Sequence, residues 1–305
     1  MNTTGQSIRA VAFYFSQTGQ ALEALKSICR PLENNGTVIY KQIVPKQHYP
    51  FPWSRQEFFD VFPETRLGMP PSGVEAIDFS DVQDADMVII AGQSWYLSPS
   101  LPLQSFLRDE QVRAYLRGRQ VVFVNACRNM WLMTSRQIRR DLHDIGARLT
   151  GHIVLQDSAP NLISVLTGVQ WMMQGKKKAS ALLPESGVSA SALQEASRFG
   201  DIILTTWREG KPELMQQRLL EAGAIDYKPS ILFLEKNGHR MFGLWAPFIR
   251  RKGGFQAPQR HRRLSIFYYY LLLVLFLISP FGQLLFYLTW PLQHVRRHKR
   301  EDCNV

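Results

Sequence analysis

Phe15-Ser16-Gln17-Thr18-Gly19-Gln20-Ala21 follows an apolar run, Ile8 to Phe15, and precedes a segment that carries Leu22, Leu25 and Ile28 on one helical face. Strand, small-residue turn and helix in this order build an anion site. The first N–H groups of a helix have no partner within it, serine and threonine add hydroxyl donors, and a glycine lets the backbone curl around the anion. The loop has neither the Gly-Lys-Ser/Thr ending that serves a γ-phosphate nor a G-x-G-x-x-G pattern, so it suits a monophosphate better than ATP or a dinucleotide.

Outward from this loop, apolar runs bounded by turn residues recur at Ile8 to Phe15, Thr37 to Val44, Asp86 to Gly92, Gln120 to Ala126 and His152 to Gln156. They read as buried strands. Segments with helical spacing alternate with them at Gln20 to Leu32, Ser100 to Leu116 and Leu132 to Ile145, and another follows at Ser191 to Phe199. Such alternation predicts a parallel sheet covered on both faces. Ser16, Thr18 and Gly19 resemble the FMN phosphate loop of the flavodoxin family, from which Gln20 and Ala21 depart. The resemblance implies an α/β fold with a flavodoxin-like doubly wound five-stranded parallel sheet in the order 2-1-3-4-5. In that order the ends of strands 1, 3 and 4 meet at the switch point. Strand 3 leads into Ser94, Trp95, Tyr96 and Leu97, and strand 4 into Ala126, Cys127, Arg128, Asn129 and Trp131. Trp95 or Tyr96 is suited to stack on a flat ring, and Arg128, Asn129 and nearby amides to bind its polar edge. The residues expected to hold FMN are therefore Ser16, Gln17, Thr18, Gly19, Gln20 and Ala21 together with these two loops. Cys127 lacks the neighbours of an acyl-transfer nucleophile.

Two stretches, 45–73 and 159–184, are too long and too rich in aromatics, proline or methionine for ordinary connections, and are candidate substrate-binding insertions. Packing over the ends of the sheet is the alternative. The motif Tyr14 to Gln20, then Pro50-Phe51-Pro52-Trp53, Phe58-Phe59-Asp60-Val61-Phe62-Pro63-Glu64, Ala159-Pro160-Asn161 and Trp171 to Lys177, resembles the dialkylresorcinol condensing enzymes. That resemblance implies an aromatase step in resorcinol-lipid synthesis beside a ketosynthase-type partner enzyme. His48 and Tyr49 are the candidate catalytic bases.

The formal net charge is +11, and about a third of the 36 lysines and arginines lie after residue 235. There they flank an apolar run, which favours membrane lipid over nucleic acid as the partner. Leu264 to Trp290 is nearly free of charge and exceeds the about 20 residues needed to cross a hydrocarbon core. Ser279-Pro280-Phe281-Gly282 divides it, so a helical hairpin with Arg260, Arg262 and Arg263 before it and Arg296, Arg297, Lys299 and Arg300 after it is expected, with a single kinked span as the alternative. Cys29, Cys127 and Cys303 are widely spaced and suggest neither disulfides nor a metal site. Met1 to Arg9 carries no secretory pattern, which places the larger part on the cytoplasmic side of a membrane, the inner membrane in a bacterium. The expected organisation is an FMN-binding domain at 1–229, a membrane-proximal basic segment at 230–263, a membrane anchor at 264–293 and a basic tail at 294–305. Three functions fit: an FMN oxidoreductase acting on a lipophilic cyclic ketone or quinone-like substrate, an electron carrier, and a binding scaffold that has lost its flavin.

Overall fold

A computed structural model of the chain describes residues 7–157, 159, 161–177, 184–278 and 281–282. Outside the described residues lie Pro160, Lys178, Ser279, Pro280, the rest of the expected anchor from 283, the basic tail with Arg296, Arg297, Lys299 and Arg300, and Cys303.

The strands are β1 (Ile8–Tyr14), β2 (Gly36–Gln42), β3 (Met87–Trp95), β4 (Ser98–Pro99), β5 (Gln120–Cys127) and β6 (Arg148–Gln156). They lie in the order β2-β1-β3-β5-β6, all parallel, so the five long strands follow the 2-1-3-4-5 arrangement. The sheet differs from the five-stranded expectation by β4, which pairs antiparallel with the end of β3. Strand β3 runs three residues past Gly92 because Ser94 and Trp95 pair with Pro99 and Ser98. Strand β6 starts at Arg148, before the apolar run that signalled it, since parallel pairing with β5 sets its start.

The first helices are α1 (Gln20–Glu33), α2 (Arg55–Asp60), α3 (Phe62–Leu67), α4 (Leu101–Arg108), α5 (Glu110–Leu116), α6 (Leu132–Ile145) and α7 (Asn161–Gln174). After them come α8 (Ala190–Glu195), α9 (Ser197–Arg208), α10 (Met215–Glu221), α11 (Pro229–Arg250) and α12 (His261–Leu273). The expected helix at 100–116 is two, because the Asp109 side chain accepts from Gln111 N and Val112 N and starts α5 afresh. One face of the sheet packs on α1, α9 and α10 through Leu25, Ile28, Phe199, Ile203 and Leu219. Gly200 makes the α1–α9 approach possible, since a Cβ there would overlap the Ile28 carbonyl oxygen. The other face packs on α4, α5 and α6 through Leu103, Phe106, Leu116, Ile138 and Leu142.

A further apolar cluster joins α2 and α3 of the first insertion to α11 and α12. Phe62 and Phe267 stack at 4.1 Å with an interplanar angle of 6°, and Phe242, Ala246, Ile249 and Leu264 close around them. Arg260 is fully buried beneath this cluster. It donates to Asp60 Oδ1 at 2.6 Å and to Glu64 Oε1 at 2.7 Å and Oε2 at 2.9 Å, and also bonds the Asp60 carbonyl. Arg260 therefore departs from its expected place in the basic flank: the two insertion carboxylates draw it inside, whereas Arg262 stays exposed. Likewise, Phe242 and Ile249 of the membrane-proximal segment expected at 230–263 are buried against α3 and α12.

Candidate functional site

The anion loop forms where the sequence places it. Gly19 is the N-cap of α1 at φ +86°, and a Cβ built there meets nothing within 4 Å, so the loop borders open space. Ser16 Oγ accepts from Leu22 N at 3.3 Å, which fixes the hydroxyl at the helix start and leaves its proton to donate. The N–H groups of Gln20 and Ala21 lie in the first turn and have no intrahelical acceptor. The Gln17 amide donates to Pro50 O at 2.8 Å and so ties the loop to the first insertion.

Gln20 has a different task from the one its position suggested. Its buried amide donates to Val188 O at 3.0 Å and accepts from Val188 N at 3.0 Å, gripping the segment that leads into α8. The side chain crosses from the helix start to that backbone and pairs with both its polar groups. Its backbone N–H remains part of the helix start. Ala21 is 1% exposed and packs beneath the loop without a polar group.

At the ends of β3 and β5 the sequence-designated residues separate into two sets. Thr18, Gln20, Ala21, Ser94, Trp95, Tyr96, Leu97, Ala126, Cys127 and Arg128 border one cavity of about 1030 Å³. Ser16, Gln17, Gly19, Asn129 and Trp131 are not part of its lining. Trp131 lies in a core cluster with its ring 5.9 Å from His152, because it precedes α6 and turns towards β6. Asn129 is buried outside the lining. Ser94 Oγ donates to Asn125 Oδ1 at 3.2 Å, while Asn125 Nδ2 is buried with no acceptor among the described residues. Burial pulls the Arg128 guanidinium down to about 10, opposed by the charge of Asp157. Burial, reinforced by Glu235, pushes the Cys127 thiol up, which keeps it neutral and poor as a nucleophile.

The β3–β4 turn brings a second departure. Tyr96 and Leu97 both have positive φ, +47° and +61°, as a two-residue type I′ hairpin requires, although neither is asparagine or glycine. The Tyr96 hydroxyl donates to Phe58 O at 2.6 Å, and the ring packs among Phe58, Phe62 and Phe242. Tyr96 thus points into the insertion and α11 instead of standing free to stack. Trp95 meets Phe15, Tyr49 and Trp53 edge-on at 5.9, 5.3 and 5.4 Å and forms an aromatic wall.

His48 and Tyr49, the candidate bases, do not reach the cavity. His48 is exposed, and Tyr49 packs behind Trp95 and Trp53, where burial and then the charge of Glu64 push its phenol up. The chain turns inward only at Trp53, whose N–H donates to Met172 O at 2.8 Å. Trp53 Nε1 is buried without an acceptor among the described residues.

Several lining residues lay outside the sequence-based list. Asp157 follows β6, accepts from Ser164 Oγ at 2.9 Å and Gly187 N at 3.2 Å, and so fixes α7 and the segment gripped by Gln20. The second insertion supplies Trp171, Met172 and Met173, and α11 and α12 supply Phe233, Phe242, Leu271 and Leu272. Aromatic and methionine enrichment marked the insertion. Nothing local marked α11, since a lining role depends on where it docks.

Strand order, crossovers and the Ser-Thr-Gly loop at the switch point define a doubly wound α/β fold of the flavodoxin-like type. No protein-family model matches the sequence, and no curated protein matches it. Among solved structures, a flavodoxin from the domain Archaea is 14% identical, with 65% of this chain and 98% of that chain covered and a TM-score of 0.38. A flavoprotein in complex with FMN from Lactobacillus acidophilus NCFM is 16% identical, with 50% and 95% covered and a TM-score of 0.38. An azoreductase is 11% identical, with 63% and 98% covered and a TM-score of 0.34.

Proposed function

We propose that the chain is a membrane-attached FMN-dependent oxidoreductase whose substrate is a lipophilic cyclic ketone or quinone-like compound, and most specifically an aromatase of the dialkylresorcinol type. The observation that carries this reading is a continuous cavity of about 1030 Å³ that extends from the anion loop, past the ends of β3 and β5, to the apolar surfaces of α7, α11 and α12. Its volume lies at the upper end of the roughly 300–1,000 Å³ of small-molecule sites, and its lining joins the anion loop to an apolar surface.

The residues present fit FMN. Gly19 borders open space at a helix start with free N–H groups, and Ser16 and Thr18 add hydroxyls for a phosphate. Trp53 Nε1 on the cavity wall is a buried donor with no acceptor among the described residues, which a polar ligand atom would satisfy. FMN, when bound, supplies a two-electron acceptor for hydride, the chemistry that turns a cyclohexanedione into a resorcinol. The chain's own contribution is placement and exclusion. Trp53 and Trp95 wall off water, Arg128 offers a buried positive charge to an oxygen that gains negative charge, and Asp157 holds α7 over the cavity. Asp157 is the carboxylate that borders the cavity and is a second candidate proton acceptor beside His48 and Tyr49, which do not line it.

Membrane attachment is supported by the stretch Pro258–Ile278, which has the length and composition of a membrane span and exposes Ile266, Tyr269, Leu273 and Leu277 while its start, Arg260, Leu264 and Phe267, is held within the fold. The side chain of Gln20, engaged with Val188 instead of facing the loop, favours the scaffold as a second reading. One spectrum decides between them. Detergent-purified full chain supplied with FMN retains visible flavin bands after desalting, and Thr18→Arg and Gly19→Val abolish them, the latter because valine is strained at φ +86°. A colourless parent overturns the redox reading and leaves the scaffold.

A further inference from the structure

The cavity does not end at a closed apolar wall. Leu166 and Val169 of α7, Phe233 of α11, and Phe276 and Ile278 beyond α12 line it and are also exposed, at 36–51% of their surface. Large apolar side chains that belong both to an interior lining and to the outer surface mark an opening. Gln93, Ser94, Arg128 and Asp157 supply polar lining from the strand ends, while Gln170 and Gln174 of α7 and Asn237 of α11 set amides among the apolar helix residues. The exposed apolar residues continue from the opening along the outer face of α12 through Leu273, Ile266 and Tyr269. The basic residues Arg251, Lys252 and Arg262 lie at the other end of that helix. About 1.5 Å of rise per residue puts the opening more than 15 Å along the helix from Arg262.

From this arrangement we infer that the opening between α7, α11 and the end of α12 is a portal through which a hydrocarbon chain passes directly from the bilayer into the cavity. The ligand class is a single-chain amphiphile, with its polar ring lodged among the strand-end residues and its tail along Met173, Leu234 and Leu272. A site served only from water would bury the five apolar side chains of the opening, since a contiguous exposed apolar surface next to a cavity is otherwise unfavourable. The inference rests on the reading that α12 meets the membrane, and it is independent of whether flavin is retained.

The test uses the full chain reconstituted into phosphatidylcholine vesicles that carry a palmitic acid with a diazirine on its alkyl chain. After irradiation, labelled residues are mapped by mass spectrometry, and flavin absorbance is read on the same sample. The expected result is label on the interior residues Met173, Leu234 and Leu272 as well as on the outer residues Ile266 and Tyr269. Val169→Asp, and separately Val169→Trp, which narrows the opening without adding polarity, lower the interior label at least fivefold and leave the outer label unchanged. Outer label without interior label overturns the portal and keeps membrane attachment. Interior label that neither variant reduces overturns this route of entry. Absence of label from both sets overturns the portal and membrane contact together. Interior label without flavin absorbance upholds the portal while the redox function fails.

Discussion

Gln20 illustrates how a residue at a cofactor loop acquires a second task. Its amide pairs with both backbone groups of Val188, 168 positions away, and in doing so sets the floor of the cavity. Replacing it by alanine removes both bonds and leaves a buried N–H and C=O unsatisfied, a loss of about 1–3 kcal/mol. Gln20→Ala is expected to unfold at lower urea concentration and to release FMN more readily, measured by fluorescence of the freed cofactor. Ser16, Thr18 and Gly19 were legible in the sequence because the anion loop depends on neighbours in the chain. The cavity residue Asp157 was not, because its partners Ser164 and Gly187 become its neighbours only after α7 closes. The same reasoning explains His48 and Tyr49. Their residue types suit proton transfer, but the chain direction that keeps one exposed and packs the other behind Trp95 is set by the docking of Trp53 on Met172.

Helices α11 and α12 are attached to the sheet domain by charged groups buried at their contacts. Glu235 of α11 is 0% exposed, and its carboxylate accepts from Leu132 N at 3.1 Å and Met133 N at 2.8 Å at the start of α6. Burial pushes this carboxyl up to about 7, against the pull of those N–H groups. A folded-state value above the unfolded one, about 4.5, favours the folded chain when the group is protonated. Its contribution to stability is therefore full below about pH 4.5 and is lost as the pH rises through 7. The urea midpoint of the parent minus that of Glu235→Gln is expected to decline across this window, and a flat difference would refute the assignment. Arg260 gives the opposite kind of attachment, permanent over ordinary pH. Arg260→Met leaves Asp60 and Glu64 buried without their shared cation and is expected to cost about 3–5 kcal/mol. Limited proteolysis should then cut within α2 and α3, which Arg260 holds. The parallel strands and α6 were readable from apolar runs and helical spacing, since local pattern determines them. Arg260 was not, because a basic residue beside an apolar run has the same local pattern whether it faces lipid or an internal pair of carboxylates.

At the scale of the whole molecule, the apolar end of the chain is a wall of the fold as well as a candidate membrane contact. Phe267 and Leu264 cover Phe62 and Phe242, and removing them uncovers a contiguous aromatic surface. A chain ended at residue 257 is accordingly expected to aggregate, by light scattering without detergent, instead of yielding a soluble flavin domain. The sheet and its switch point emerge from the sequence because doubly wound order follows from alternation, whereas the path of the cavity requires α7, α11 and α12 to be in place. The hairpin at Tyr96 and Leu97 carries this dependence into time. Two bulky residues at positive φ are held at a cost of the order of 1–3 kcal/mol each. The aromatic rings and helix that hold them include Phe242, which the ribosome adds long after the hairpin itself. A nascent chain that has not reached α11 lacks that support, so the loop at the cofactor end gains its full packing only after α11 has emerged and docked.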